Sequence, residues 1–408
     1  MKALIIGKVW PEPNSSAAGR RMKQLIQLLQ KRGEVHFACA TAFTGNEMDL
    51  VQSGVKVEHI ELNDDSVNAY FQTLNPAIVV FDRFLTEEQY GWRIIEQCPD
   101  AVRILNTEDL HFLRKTRQQF VKKYNRIPSH LDELDFHNDE TMRELASVYR
   151  SDWTLLISPF EKELLEQEMQ IPSDLLSYLP LFSEQSHPRQ ALFSDRHDFL
   201  FIGNILHEPN LDAIRVLTQT MWPQIREQLP KARLLIAGAY PTQEVMQLHS
   251  EQKGVIVLGH IQDVDTAYQT VRVSLMPLRF GAGIKGKILE SMEHGIPFVT
   301  TSIGAEGMFL EQGWDDCIAD NPKVFIQKAV DLYTDETKWN RIQESGVQHL
   351  TNHFDRTQSE ALFSQQLDVL IETIHEKRKK RYFSRVVQHH TLMSTRYLSK
   401  WIMEKNKH

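Results

Sequence analysis

The stretch VSLMPLRFGAGIKGKILESMEHGIPFVTTS, from Val273 to Ser302, decides how the rest of the chain is read. A short apolar run, Val273–Leu278, enters a loop holding Gly281 and Gly283. A helical stretch with Lys285 and Lys287 in its first turn follows, and Gly295 and Pro297 stop it before a second apolar run reaching Ser302. Strand, loop, helix and strand in that order make the repeating unit of a parallel sheet. The first turn of a helix carries unpaired N–H groups and about half a positive charge, so it can hold a phosphate. Gly281 and Gly283 let backbone approach a ligand closely. Lys285 and Lys287 can add full charges to phosphate oxygens. Glu290 lies three residues after Lys287 on roughly the same helix face, where a carboxylate can accept hydrogen bonds from a ribose diol. The same residues also fit an ordinary solvated Lys–Glu pair.

The alternation extends outward in both directions. Toward the N-terminus lie the apolar runs Ala3–Gly7, Val35–Ala40, Val55–Leu62, Ala77–Phe81, Val102–Leu105 and Trp153–Ser158, with helical periodicity over residues 20–31 and 140–149. A second series comprises Asp198–Asn204, Ala232–Gly238, Val255–Ile261, Val273–Leu278 and Pro297–Ser302. Between the two, residues 183–197 are polar, contain a proline and lack periodicity, which reads as a linker. The expected fold class is therefore α/β, with one Rossmann-like unit over residues 1–182, the linker at 183–197 and a second unit over 198–374. A basic helical tail follows over 375–408.

Composition fits this division. The chain has 408 residues, 41% hydrophobic and 25% charged, which is too long for one small core. Its net charge of −8 argues against wholesale nucleic-acid binding. Cys39, Cys98 and Cys317 are few and far apart, giving neither a disulfide framework nor a zinc site and suiting a reducing compartment. The N-terminal MKALIIG reads as a first strand rather than a signal peptide, and no stretch approaches the roughly 18 apolar residues of a membrane span. A cytoplasmic multidomain protein is expected.

The segment from Gly281 to Glu290, continuing through Gly295-Ile-Pro-Phe-Val299 and followed by Gly304, Ala305, Glu306 and Gly307, resembles the donor-site signature of family 4 retaining glycosyltransferases. That family has the GT-B fold, two facing Rossmann-like domains with a parallel sheet in each and a C-terminal helical return. The likeness continues through Phe201–Asn204, His207–Asn210, Ala232–Gly238 and Val257–Val264, covering most of residues 198–310. In the N-terminal half, the segment from Ser16 to Arg21, with Gly19, is similar to the family's glycine-and-arginine first loop.

The resemblance implies transfer of a sugar from a nucleotide diphosphate sugar to a glycan, lipid-linked or protein acceptor, with retention, no cofactor and no essential metal. It implies that Glu290 binds the ribose and that Lys285 and Lys287 neutralise the diphosphate. Gly304–Gly307 would sit near the sugar or phosphates, and Gly203 and Asn204 would line the opposite wall. Two departures stand out. Many members carry a second glutamate eight positions before the ribose-binding one, and Ala282 stands there; Asn204 replaces a common arginine. On the acceptor side, Glu108, Asp109 and His111 follow the run Val102–Leu105, where relatives often show His-Asp. They are the catalytic candidates, since ligands bind outside the carboxyl ends of parallel strands. Capping of the next helix by Asp109 is the competing expectation. A nucleotide-sugar epimerase of the same fold and a non-catalytic sugar-nucleotide-binding scaffold are the alternative functions.

Two signals are read as structural. Asp263-Val-Asp265 matches a metal-binding Asp-x-Asp but precedes a short helix, which favours capping. His389-His390 lacks further ligands at metal-site spacing. The tail from His375 carries ten Lys and Arg against Glu376 and Glu404, a local net of +8 that leaves −16 over residues 1–374. Its apolar residues recur at helical spacing. Packing of the first part of the tail on the first domain is the leading expectation, and contact of residues 376–408 with the inner membrane surface or a protein partner is the second.

Overall fold

The computed structural model describes residues 1–183, 192–261, 263–310 and 312–406, with residues 390–392 and 406 described for backbone only. Strands β1 (Lys2–Gly7), β2 (Glu34–Cys39), β3 (Lys56–His59), β4 (Ile78–Asp82), β5 (Val102–Asn106), β6 (Trp153–Leu156) and β7 (Leu176–Tyr178) form one sheet in the order β3-β2-β1-β4-β5-β6-β7. Strands β8 (Asp198–Ile202), β9 (Arg233–Ala237), β10 (Val255–Gly259), β11 (Val271–Met276) and β12 (Phe298–Thr300) form a second, in the order β10-β9-β8-β11-β12. All these pairings are parallel.

Near-continuous apolar runs produce sheets buried on both faces. In β1, Leu4 and Ile6 join one core cluster with Val79 and Phe81, while Ala3 and Ile5 join another with Ile78 and Val80. The alternation of successive side chains thus supplies two helix-covered faces from one strand. The second sheet has its own core, built on Phe199, Leu234, Val273 and Phe298. Every apolar run named above contains a strand. Only β7 has no counterpart among them, because three residues (Leu176-Ser-Tyr178) are too short to show a period.

Both sheets reverse strand order beside their first strand, between β1 and β4 and between β8 and β11. Loops leaving the carboxyl ends at such a point diverge and open a crevice for ligands. Of the expected linker, residues 184–191 lie outside the described residues; residues 192–197 include a single 3-10 turn, Phe193–Asp195, before β8 begins.

The C-terminal helices return to the first sheet. The helix Arg356–Lys380 buries Phe363, Leu367, Leu370 and Ile374 in the cluster that holds Ile5, Val80 and Ile104. It runs straight through residue 375, so the change of composition there is not a structural boundary. A break at Arg381, whose guanidinium holds Asp174 at 2.6 Å, separates it from the helix Tyr382–Asn406. The last helix packs on the first domain as expected, against the helices Arg83–Gln97 and Asp139–Arg150, but only part of its apolar stripe is covered. Ser384 and Ser399 are buried, whereas Tyr382, Phe383, Val386, Tyr397, Leu398 and Trp401 are exposed.

Candidate active site

The facing crevices merge into one cleft of about 840 Å³ between the two sheets. One wall is built by the helix Ala17–Gln30, whose N-cap Ser16 Oγ accepts from the Gly19 N–H at 3.0 Å. The opposing wall is built by the helix Gly286–Glu293, with Lys285 at its N-cap. The two N-termini nearly touch, since a Cβ on Gly286 would stand 2.8 Å from the Ala17 Cβ. Two helix dipoles and two lysines therefore address one space.

Lys287 Nζ is held by Asn210 Oδ1 at 2.5 Å and lies 4.5 Å from the centroid of the Phe201 ring. Asn210 in turn donates from Nδ2 to the Asn204 carbonyl at 2.7 Å. Asn204 Oδ1 accepts the Leu206 N–H, so its side chain is spent on the turn after β8. Burial pulls Lys287 down to about 7, with neighbouring Lys285 pushing the same way and Glu290 opposing. Lys285 is also lowered by burial, and its ammonium donates to the Ala282 and Gly283 carbonyls at 3.1 and 2.5 Å. Burial raises Glu290 above the usual carboxylate range, against the pull of Arg20. Its carboxylate lines the cleft and takes no hydrogen bond among the described residues. Glu293, three residues on, is held by Arg20 at 2.5 Å from the other wall.

The acceptor-side candidates share this cleft. Glu108, Asp109 and His111 all line it, below the end of β5. Glu108 has a left-handed backbone (φ +62), and its carboxylate accepts from Asn106 Nδ2 at 2.8 Å. Burial, reinforced by Asp82, pushes it up to about 8. Asp109 does not cap the following helix. The Glu144 carboxylate does, accepting from the His111 and Phe112 N–H groups at 3.1 and 2.9 Å. Asp109 instead pairs with Arg114 and stands 3.7 Å from His111 Nε2. Burial alone would raise its pKa, but Arg114, His111 and His207 hold it low. Burial drives His111 down to about 3, so its imidazole is neutral near pH 7.

The remaining candidates divide between this cleft and its surroundings. Gly203 and Gly281 line the cleft. Gly283 sits at its back, donating to Glu161 Oε1 at 2.7 Å with φ +65, and a Cβ there would lie 3.0 Å from the Asp109 Cβ. Gly304 and Gly307 pack against Thr300 and Ser158. Ala305, Glu306 and Gly307 line a separate cavity of about 600 Å³, where Arg117 holds Glu306 at 2.6 Å and also donates to the Gly281 carbonyl. Arg21 is fully buried, binding the Asn106 side chain and the Pro180 carbonyl. It supports the floor of the site and does not line it. Asp263 caps its helix through the Asp265 N–H, and Asp265 holds His294 at 2.8 Å.

Several cleft residues escape sequence reasoning. Asp82 ends β4 beside the strand reversal, is 4% exposed, and its Oδ1 has no hydrogen-bond partner. Arg83 follows with φ +72, a strained backbone at the cleft floor. Lys8 and Arg114 also line the cleft and add charge to it. Their signal is an apolar run ending in a charged residue, which means nothing until strand order places β4 next to β1. Across the mouth, Tyr240 Oη donates to Glu12 at 2.7 Å and ties the two walls.

Comparison with known proteins agrees with this architecture. Residues 196–335 match the family described as glycosyl transferases group 1. An uncharacterized 44.6 kDa protein in the cps region of Klebsiella pneumoniae is 24% identical over 187 residues; the match spans 44% of this chain and about half, 48%, of that relative. Sucrose-phosphate synthase from Thermosynechococcus elongatus superposes with a TM-score of 0.68 at 14% identity, over 91% of this chain and 100% of its own. Anabaena HepE, in complex with UDP and glucose, does so with a TM-score of 0.68 at 12% identity, over 91% of this chain and 100% of its own. The chain therefore has the GT-B fold, and the part that matches glycosyl transferases group 1, residues 196–335, holds its second sheet and the loops of the cleft wall on that side.

Proposed function

We propose that this protein is a retaining glycosyltransferase of family 4 that moves a sugar from a nucleotide diphosphate sugar to a glycan, lipid-linked or protein acceptor. The observation that carries the reading is the convergence of two helix N-termini, Lys285, Lys287 and the unpartnered Glu290 carboxylate on one cleft. Its volume of about 840 Å³ lies within the range that small-molecule sites occupy. HepE has been seen with UDP and with UDP-glucose, which makes uridine donors the first to test.

In this reading Glu290 accepts the ribose hydroxyls, and Lys285 and Lys287 face the diphosphate. Charge grows on the leaving phosphate as the glycosidic bond breaks, and preset cations and N–H dipoles stabilise that charge most where water is excluded. The sugar carbon becomes oxocarbenium-like. Leaving-group phosphate helps deprotonate the acceptor on the same face, so no side-chain nucleophile or metal is required. Glu108, protonated near neutral pH, donates a hydrogen bond to substrate; Asp109, fixed by Arg114, and neutral His111 orient the sugar or acceptor hydroxyls. The charge that Asn204 does not supply comes from Lys287, which Asn210 positions.

Thermal-shift measurement against UDP-, GDP-, TDP- and ADP-sugars tests the donor site, because a ligand of the folded state alone must raise the melting temperature. One donor class should stabilise the wild type and stabilise Glu290→Ala distinctly less. Transfer is then read with an acceptor panel. A protein that binds donor yet neither hydrolyses nor transfers from it is not a transferase, and conversion of donor alone into its epimer would identify an epimerase.

A further inference from the structure

The helix Tyr382–Asn406 is mounted with its apolar side outward. A helix on a water-soluble body ordinarily turns its apolar stripe to the core. Here many of the body-facing contacts are polar: Ser399 Oγ donates to Asn63 at 2.9 Å, Arg396 pairs with Glu96 at 2.6 Å and Gln388 donates to the Arg150 carbonyl at 3.1 Å, while one edge of the Phe383 ring meets Tyr149 and Val387, Met393, Ile402 and Met403 are half-buried. Tyr382, Phe383, Val386, Tyr397, Leu398 and Trp401 are each more than half exposed, along the length of one helix. Contiguous exposed apolar residues on this scale mark an interaction site.

Charge identifies the partner. Arg378, Arg381 and Arg396 are tied down by Asp152, Asp174 and Glu96. Lys380, Arg385, Lys400 and Lys405 are exposed and meet no carboxylate among the described residues. The outward surface is therefore aromatic and aliphatic, flanked by free cations, on a molecule whose first 374 residues carry a net −16. Tyrosine and tryptophan suit the boundary between headgroups and acyl chains, with the ring apolar and one atom wet. An anionic surface attracts this face and repels the rest of the body, so charge both binds and orients the molecule. A second copy of the chain would oppose the same cations face to face, which disfavours a dimer through this surface. A single convex helix also needs no matching groove when its partner is a bilayer. Among the described residues no helix is long and apolar enough to cross a membrane, so the contact is with the surface.

We infer that the outward face of the Tyr382–Asn406 helix docks the protein onto an anionic lipid bilayer. This goes beyond the transferase reading and does not depend on it, since binding is measured without donor or acceptor. The full chain is to be sedimented with phosphatidylcholine vesicles made with and without phosphatidylglycerol, at low and high salt. Binding is expected only to the anionic vesicles and should weaken with salt. Replacing Val386, Tyr397 and Trp401 together by serine should weaken partition at least ~10-fold. The set Lys380→Glu, Arg385→Glu and Lys400→Glu should weaken it by about 100-fold, at roughly five-fold per basic residue near such a surface. These positions are exposed, so both variants should melt as the wild type does; if the serine variant melts early, the charge variant carries the test. The inference is overturned if the wild type stays in the supernatant with anionic vesicles, or if it binds both vesicle types alike and the variants change nothing. It is also overturned if the stripe variants abolish a concentration-dependent dimer while vesicle binding is unaffected.

Discussion

At the scale of single residues, the cleft is a set of charges whose burial sets their protonation. Burial, with Lys285 beside it, disfavours the ammonium form of Lys287 and brings its pKa down to about 7. A bound diphosphate favours that form and raises the pKa, so binding takes up a proton between the free and bound values. Donor affinity should be constant below about 7 and fall as pH rises above it, and titration calorimetry over that window measures the slope. Lys287→Arg keeps its charge throughout and should flatten the profile. Glu290→Ala removes hydrogen bonds to a charged acceptor, each worth about 1.5–3 kcal/mol, so donor affinity should drop ~10-fold or more in the same assay. Asp82→Asn separates roles differently: donor binding should persist while turnover falls, because Asp82 lines the cleft near Glu108 with one oxygen that takes no hydrogen bond among the described residues. An unchanged turnover number would remove Asp82 from the acceptor side. Glu290 and the lysines were legible in sequence because their spacing is local to one helix. Asp82 was not, since nothing within its own strand distinguishes it.

At the scale of elements, loops leaving the strands at their carboxyl ends hold the site, and backbone strain marks where they are forced. Gly283 combines φ +65 with an N–H bound to buried Glu161 and a close approach to Asp109. Gly283→Ala should cost about 1–3 kcal/mol through its backbone conformation alone, more if Asp109 must move, and denaturant unfolding measures it. A wild-type midpoint would mean the loop relaxes freely. Strands and most helices were legible because parallel strands buried on both faces are continuous apolar runs. The three-residue β7 was too short to see. Helix Tyr382–Asn406 was legible as a helix that packs on the first domain, but not how much of its apolar stripe would stay exposed. Its periodicity shows a stripe, but the stripe cannot say which way it faces when serines and arginines make the inner contacts.

At the scale of the molecule, the two sheets are fastened by ion pairs that cross between them. Arg20 holds Glu293 and Arg117 holds Glu306, beside the Tyr240–Glu12 hydrogen bond. The Arg117 side chain is 3% exposed, so Glu306→Ala would leave a buried cation beside the Gly281 carbonyl with no carboxylate. Breaking one partner of such a pair costs about 3–5 kcal/mol, and the variant should unfold at lower denaturant with looser inter-sheet packing by small-angle scattering. Retention of both properties would show that Arg117 finds another partner. This places Glu306 in the fastening of the molecule, although its position after Gly304 suggested the donor sugar.

The sequence by itself determined the α/β class, the two series of strands and the grouping of Lys285, Lys287 and Glu290 at one helix start. Each of these depends on contacts within one element or between neighbours in the chain, where spacing is geometry. Only the tertiary structure decided that Asp82 joins the site, that Arg21 and Glu306 support it from behind, and that the last helix turns its aromatic side to the outside. Those facts depend on which strands lie side by side and on which partner each buried charge meets, and residues more than a hundred positions apart carry no local trace of either.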